Sequence, residues 1–127
     1  MSALSILVAD DEATIRDALR IVLTKLGHRP VCVADGRKAL AEMQTQSFDL
    51  IITDLLMPDC DGLELIGEVR RTHRATPIVA ISGGGRIAGS DYLRMAKKLG
   101  ARAILSKPFT ADDVEAVIRS ATAPPAV

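Results

Sequence analysis

The sequence predicts an α/β domain built on a five-stranded parallel β-sheet with helices on both faces. Five short β-favouring runs begin 19 to 28 residues apart, and helical patterns fill the intervals. That spacing favours repeated βαβ units over hairpins. The runs are continuously apolar, as in strands covered on both faces. A chain of 127 residues fits one ordinary domain, and we expect a core from about residue 4 to 121 and a tail from 122 to 127.

The predicted strands share short length, β-branched residues and little alternation of polar with apolar positions. Each is followed by polar or turn-favouring residues that end it. The strands are about Ile6–Ala9, Val31–Ala34, Leu50–Thr53, Ile78–Ile81 and Ala103–Leu105.

Helices are predicted in the intervals, where apolar residues recur at helical spacing. Gly27 and Gly100 are placed to end the first and fourth helices, and Ser90 is a candidate N-cap for the fourth. Thr110 and Asp113 have capping-box spacing at the start of the fifth. The predicted helices are about Ala13–Leu26, Arg37–Gln44, Leu63–Arg71 and Asp91–Leu99, with a fifth from Thr110.

Charge and hydropathy narrow the classes of partner. Lys plus Arg and Asp plus Glu both number 16, so the formal charge is zero and no global field attracts nucleic acid or an anionic membrane. We therefore expect a protein or small-molecule partner, with no direct contact to nucleic acid or membrane. No apolar run approaches the roughly 20 residues that span a bilayer, and the start of the chain lacks signal-peptide features, which predicts a cytoplasmic location. His28 and His73 are interpreted as solvated residues.

Candidate site residues follow four of the five predicted strands. Asp10 and Asp11 follow the first strand, Asp54 the third, Ser82 the fourth, and Lys107 lies just beyond the fifth. Right-handed crossovers place the carboxyl ends of parallel strands at one edge of a sheet, where ligands of open α/β folds bind. These five residues are therefore predicted to form one site.

The chemistry of that predicted site is acidic. Asp10, Asp11 and Asp54 would repel one another unless a cation joined them. Oxygen donors that leave room for water and phosphate favour Mg²⁺, and no His or Cys cluster favours zinc. A carboxylate can also attack phosphorus to form an aspartyl phosphate, whose charge Lys107 and the Ser82 hydroxyl are placed to stabilise.

Four motifs in order resemble the receiver domains of bacterial two-component response regulators. They are Asp10-Asp11-Glu12, the run from Asp54 to Gly62, Ser82-Gly83 and Lys107-Pro108-Phe109. The resemblance covers residues 4 to 121 and implies the flavodoxin-like, doubly wound sheet of the chemotaxis-type regulators, with strand order 2-1-3-4-5.

The resemblance also implies the role of each acidic residue. Asp54 is expected to accept a phosphoryl group from a histidine kinase or a histidine phosphotransfer protein. Asp10 and Asp11 are expected to bind Mg²⁺ together with Asp54 and the backbone carbonyl of Leu56.

The remaining motif residues are expected to contact the phosphoryl group or shape its surroundings. Lys107 would contact it directly, Ser82 would be the switch hydroxyl, and the amide of Gly83 would lie beside it. In this family the Lys-Pro peptide bond is commonly cis, so we expect a cis bond between Lys107 and Pro108.

The sequence departs from the family pattern in the output region. Many receivers carry an aromatic residue three positions before the lysine, where this chain has Ile104. A glycine-rich loop follows Ser82 instead. We expect the segment Gly83–Gly89 and the start of the fourth helix to change conformation on phosphorylation. Together with the fifth strand and helix, they are expected to present a surface to an output protein that the sequence does not identify.

Two other functions are compatible with the predicted fold and are disfavoured by the residues of the site. A phosphatase that turns over an aspartyl phosphate usually resembles a pattern with a second Asp two residues after the nucleophile, where this chain has Leu56. A flavodoxin-like cofactor binder needs a phosphate-cradling loop after the first strand, and that loop is acidic here. The predicted function is therefore a phosphoacceptor signalling domain and not an enzyme of turnover.

Overall fold

The computed structural model describes residues 3–55, 57, 61–73, 75–83 and 90–123, with side chains described from residue 94 onward in the last range. Strands and helices alternate along the chain, as predicted. The strands are β1 (Ser5–Ala9), β2 (Arg29–Val33), β3 (Leu50–Asp54), β4 (Ile78–Ser82) and β5 (Ala103–Ser106). The helices are α1 (Ala13–Lys25), α2 (Gly36–Thr45), α3 (Gly62–Thr72), α4 (Ser90–Leu99) and α5 (Ala111–Thr122).

The strands form one parallel sheet in the order β2-β1-β3-β4-β5. The α/β class and the strand order expected from the sequence are both confirmed. The order reverses between β1 and β3, whose register pairs Ile6 with Leu50 and Ala9 with Thr53. That reversal opens a crevice at the carboxyl edge, between the ends of β1 and β3.

Alternate residues of each strand face two separate apolar layers. Leu7, Ile51 and Ala80 pack with α2, α3 and α4 on one face. Val8 and Ile52 pack with α1 and α5 on the other. The central strands are buried on both faces, which explains why their sequences are apolar without alternation.

Local signals fix most helix ends. Gly27 and Gly100 follow α1 and α4 with φ of +91° and +114°, a region that glycine adopts at little cost. At the start of α5, Thr110 and Asp113 form the predicted capping box. Ser90, expected as the N-cap of α4, is instead its first residue.

His28 corrects an expectation from the sequence. Only 6% of its surface is exposed, and its Nδ1 accepts a hydrogen bond of 3.0 Å from the Leu4 backbone N–H. The backbone N–H of Arg29, the first residue of β2, donates to the Leu4 carbonyl. This pairing places the His28 ring against the backbone of Leu4, just before β1. His73 is exposed, as expected.

Within the residues described, no helix combines the length and apolar character needed to cross a membrane.

Candidate functional site

Three polar side chains meet at the carboxyl edge of the sheet. Asp10 follows β1, Asp54 is the last residue of β3, and Lys107 follows β5. Asp10 is fully buried and Asp54 is 7% exposed. These three residues therefore converge at one edge of the sheet, as expected for residues at the ends of parallel strands.

The Lys107 ammonium lies among three carboxylates. Its Nζ is 2.6 Å from Glu12 Oε1, 3.3 Å from Asp10 Oδ2 and 3.5 Å from Asp54 Oδ2. We call Asp10, Glu12 and Asp54 the carboxylate triad, since each offers an oxygen that lies within 4.8 Å of those of the other two. Glu12 makes the shortest contact, although sequence reasoning gave it no role. Its only signal was its place beside Asp10 and Asp11 in the first motif.

Hydrogen bonds hold Asp10 in place at the end of β1. Its N–H donates to the Val33 carbonyl of β2 at 3.2 Å, and its carbonyl accepts from Arg16 Nη1 at 2.8 Å. Its carboxylate Oδ1 accepts the Glu12 backbone N–H at 2.8 Å. Asp10 is thus oriented by β2, by α1 and by the turn between β1 and α1.

The backbone of Asp54 is held by its neighbours and by the start of α3. The Thr53 hydroxyl donates to the Asp54 carbonyl at 2.9 Å, and Gly62 N–H donates to the Leu55 carbonyl at 3.0 Å. A Cβ on Gly62 would overlap the Asp54 carbonyl oxygen and lie 2.6 Å from Leu55 Cα. Only glycine permits this close approach of α3 to the acidic residue.

The charges at this edge shift pKa values in opposite directions. Burial, with the nearby Asp54 charge, raises the pKa of Asp10 from an ordinary 3.8 to about 6, although the Glu12 amide and Lys107 oppose the rise. Partial burial opposes the charge on Lys107, yet the Glu12 hydrogen bond and the charges of Asp10 and Asp54 raise its pKa above the usual range. The edge therefore holds excess negative charge that a single ammonium does not neutralise.

The triad fits a hard divalent cation. Among the described residues, Asp10 Oδ2 is a buried oxygen that accepts no hydrogen bond, although the Lys107 ammonium lies 3.3 Å away. Buried carboxylate oxygens rarely lack a hydrogen-bond donor. Carboxylate oxygens from two strand ends are the donors that Mg²⁺ takes in proteins.

The other two expected metal ligands are placed differently. Asp11 is exposed and does not belong to the triad. Leu56 lies outside the described residues. Metal binding by Asp11 and by the Leu56 carbonyl therefore stays a prediction.

Ser82 and Gly83 lie beside the site at the end of β4. The register pairs Asp54 with Ile81, one residue before Ser82. The Ser82 carbonyl accepts the Lys107 backbone N–H at 2.8 Å, which ties the lysine loop to β4. A Cβ on Gly83 would meet nothing within 4 Å. The expected contacts of Ser82 and Gly83 with a phosphoryl group stay predictions.

The output region is described in part. The Lys107–Pro108 bond is cis, as expected. Ile104 is half-buried and packs against the layer of α2, α3 and α4. Of the expected switch loop Gly83–Gly89, residues 84–89 lie outside the described residues.

Known proteins with similar sequences identify the family of this chain. A family model for the response regulator receiver domain matches residues 6–119. The chain belongs to the receiver family. The match confirms the resemblance noted in the four motifs. A receiver domain is a signalling domain of two-component systems.

Relatives and solved structures agree with this assignment. The receiver domain is 35% identical over 124 residues to the transcriptional regulatory protein TcrA of Mycobacterium tuberculosis, covering 94% of the chain and 46% of that protein. It thus spans about half the length of this relative. Chemotaxis protein CheY4 of Vibrio cholerae superposes with a TM-score of 0.85 at 30% identity, covering 94% of this chain and 99% of that one. NtrX of Brucella abortus superposes with a TM-score of 0.88 at 34% identity, covering 95% of this chain and 27% of that one.

Proposed function

We propose that this receiver domain is a phosphorylation switch in which Asp54 accepts a phosphoryl group from a phosphohistidine. The donor is a histidine kinase or a histidine phosphotransfer protein. The observation that carries the proposal is the position of Asp54, which lies 3.5 Å from the Lys107 ammonium, beside the buried Asp10, at the crevice where the strand order reverses.

In the proposed transfer, the phosphoryl group passes from the phosphohistidine ring to the Asp54 carboxylate. An Asp54 carboxylate oxygen attacks phosphorus, and the bond between phosphorus and the imidazole nitrogen breaks. The imidazole nitrogen keeps the electron pair and, with the other ring nitrogen protonated, leaves as neutral imidazole. Asp54 becomes an acyl phosphate.

Lys107 and the two aspartates of the triad have separate parts in this transfer. The Lys107 ammonium donates hydrogen bonds to phosphoryl oxygens and balances their charge. Bound Mg²⁺ would supply further positive charge to the same oxygens. Asp10 and Asp54 would hold the ion, and the family resemblance adds Asp11 and the Leu56 carbonyl.

The signal then leaves through the end of β4. The Ser82 hydroxyl and the Gly83 amide are proposed to donate to the phosphoryl group. Because Ser82 also accepts the Lys107 backbone N–H, a shift of Ser82 toward Asp54 would move the β4 and β5 ends together. The moved surface is proposed to bind an output protein.

Intact-mass measurement after incubation with acetyl phosphate and Mg²⁺ tests the proposal. We expect the wild-type chain to gain one phosphoryl group, and we expect none on Asp54→Asn or after removal of the metal with a chelator. Asp112→Asn is the matched control, because it removes an exposed carboxylate from the first turn of α5. Phosphorylation of Asp54→Asn at the wild-type rate would show that another residue is the acceptor.

A further inference from the structure

The Glu12 side chain does not cap helix α1, although Glu12 occupies the N-cap position. Glu12 is the N-cap residue of α1, with extended backbone angles of φ −88° and ψ 118°, and its side chain makes no capping hydrogen bond. N-cap side chains usually accept an N–H from the first turn. Instead, Glu12 crosses to the loop after β5, 95 residues away in sequence, and contacts Lys107.

Glu12 is the strongest partner of Lys107 in the unmodified protein. A distance of 2.6 Å is that of a charge-assisted hydrogen bond, whereas Asp10 at 3.3 Å and Asp54 at 3.5 Å lie beyond the usual range. The Glu12 side chain is 55% exposed, and that of Lys107 is 15% exposed. The contact thus holds a largely buried ammonium toward the surface side of the crevice.

We propose that Glu12 is a positioning residue that competes with the Asp54 phosphoryl group for the Lys107 ammonium. This inference rests on the proposed function, because it concerns the same lysine. Before phosphorylation, Glu12 draws the ammonium closer to itself than to Asp54, at 2.6 Å against 3.5 Å. After it, the more highly charged phosphoryl group takes the ammonium and Glu12 is released into solvent. The competition lowers the affinity of the site for a phosphoryl group and limits how much of the protein is switched at a given donor supply.

Beryllium fluoride, which binds aspartate as a phosphoryl mimic, is the probe. Its affinity is measured by ¹⁹F NMR at saturating Mg²⁺ for the wild type, Glu12→Gln and Glu12→Asp. We expect Glu12→Gln to bind the mimic about two- to five-fold more tightly, the range set by one partly exposed ion pair. Glu12→Asp keeps the charge but is one methylene shorter, so it should tighten binding similarly. The exposed position of Glu12 means that both variants should fold, which circular dichroism checks.

Two further measurements separate positioning from other roles. The pKa of Lys107, followed through its ¹³Cε shift without the mimic, should fall in both variants. Mg²⁺ affinity without the mimic should weaken less than about threefold. Asp112→Asn, which removes a carboxylate from the first turn of α5, should leave all three readouts unchanged.

The outcomes divide cleanly. Unchanged mimic affinity in both Glu12 variants overturns the competition, and tightening in Glu12→Gln alone overturns it too, because charge and not contact would then be responsible. Loss of Mg²⁺ affinity by about tenfold or more would make Glu12 a metal ligand instead. A wild-type chain that neither binds the mimic nor becomes phosphorylated contradicts the proposed function itself.

Discussion

The two faces of the sheet and its carboxyl edge bury different kinds of groups. The core on each face is apolar, formed with α1 and α5 on one side and with α2, α3 and α4 on the other. At the edge, Asp10 and Asp54 are buried, and within the described residues Asp10 Oδ2 accepts no hydrogen bond. Apolar burial stabilises a fold, and burial of charge opposes it. The faces therefore supply stability, and the edge loses some of it to form the site.

Two glycines of α3 offer the sharpest test of that contrast. Gly62 touches the Asp54 backbone, whereas a Cβ on Gly67 would meet nothing within 4 Å. We expect Gly62→Ala to lower the free energy of unfolding by about 3 kcal/mol, because backbone cannot move aside as a side chain can. Gly67→Ala should raise it by up to about 1 kcal/mol through helix propensity. Urea unfolding of both variants measures the difference.

The same pair tests the link to the site. Phosphorylation by acetyl phosphate should be slower in Gly62→Ala, under conditions where it is folded, and unchanged in Gly67→Ala. Equal unfolding free energies in the two variants would mean that the edge accepts an added Cβ at Gly62 as readily as α3 accepts one at Gly67, where there is open space.

The elements that form the two faces of the sheet could be predicted from the sequence, because strands and helix ends depend on local residues and on periodic apolar patterns. A continuous apolar run predicted a central strand at Leu50–Thr53, where the structure has β3. Gly27 and Gly100 marked helix ends because few other residues adopt positive φ. The convergence of Asp10, Asp54 and Lys107 followed from parallel topology alone.

What the sequence did not reveal depends on contacts between distant segments. Glu12 could be recognised as part of an acidic motif, but its contact with Lys107 depends on where the loop after β5 lies. The approach of Gly62 to Asp54 depends on how α3 packs. His28 is buried because β2 pairs beside Leu4, which no feature near His28 announces.

A milder test of the contrast removes charge from the edge. Asp10→Asn keeps the Oδ1 acceptor for the Glu12 amide but abolishes the buried charge. The difference between a pKa of about 6 in the folded protein and an ordinary 3.8 corresponds to about 2–3 kcal/mol. We expect metal-free Asp10→Asn to be more stable than the wild type by about that amount at pH 7–8, as thermal or urea unfolding would report.

The pH dependence of this effect has a definite sign. Because folding raises the pKa of Asp10, the folded state holds a proton that the unfolded state releases between pH 3.8 and about 6. Metal-free wild-type protein should therefore lose stability relative to the variant as pH rises through that window, and the two should match below it. Saturating Mg²⁺ should narrow the gap at pH 7–8. An Asp10→Asn variant that is less stable at every pH would contradict the view that this carboxylate opposes folding.

The smallest expected effect concerns a residue that lies beside the site but belongs to the stabilising part of the molecule. Thr110 accepts the Asp113 N–H at the start of α5, three residues after Lys107, and Asp113 accepts the Thr110 N–H in return. Thr110→Ala should lower the free energy of unfolding by about 1 kcal/mol. Thr122→Ala, at the other end of α5, removes only a bond to the Ile118 carbonyl and should change stability by less than about 0.5 kcal/mol. Phosphorylation by acetyl phosphate should be unchanged in both, since neither hydroxyl touches the triad or Lys107. A slower reaction in Thr110→Ala alone would show that the capping box also holds the lysine loop in place.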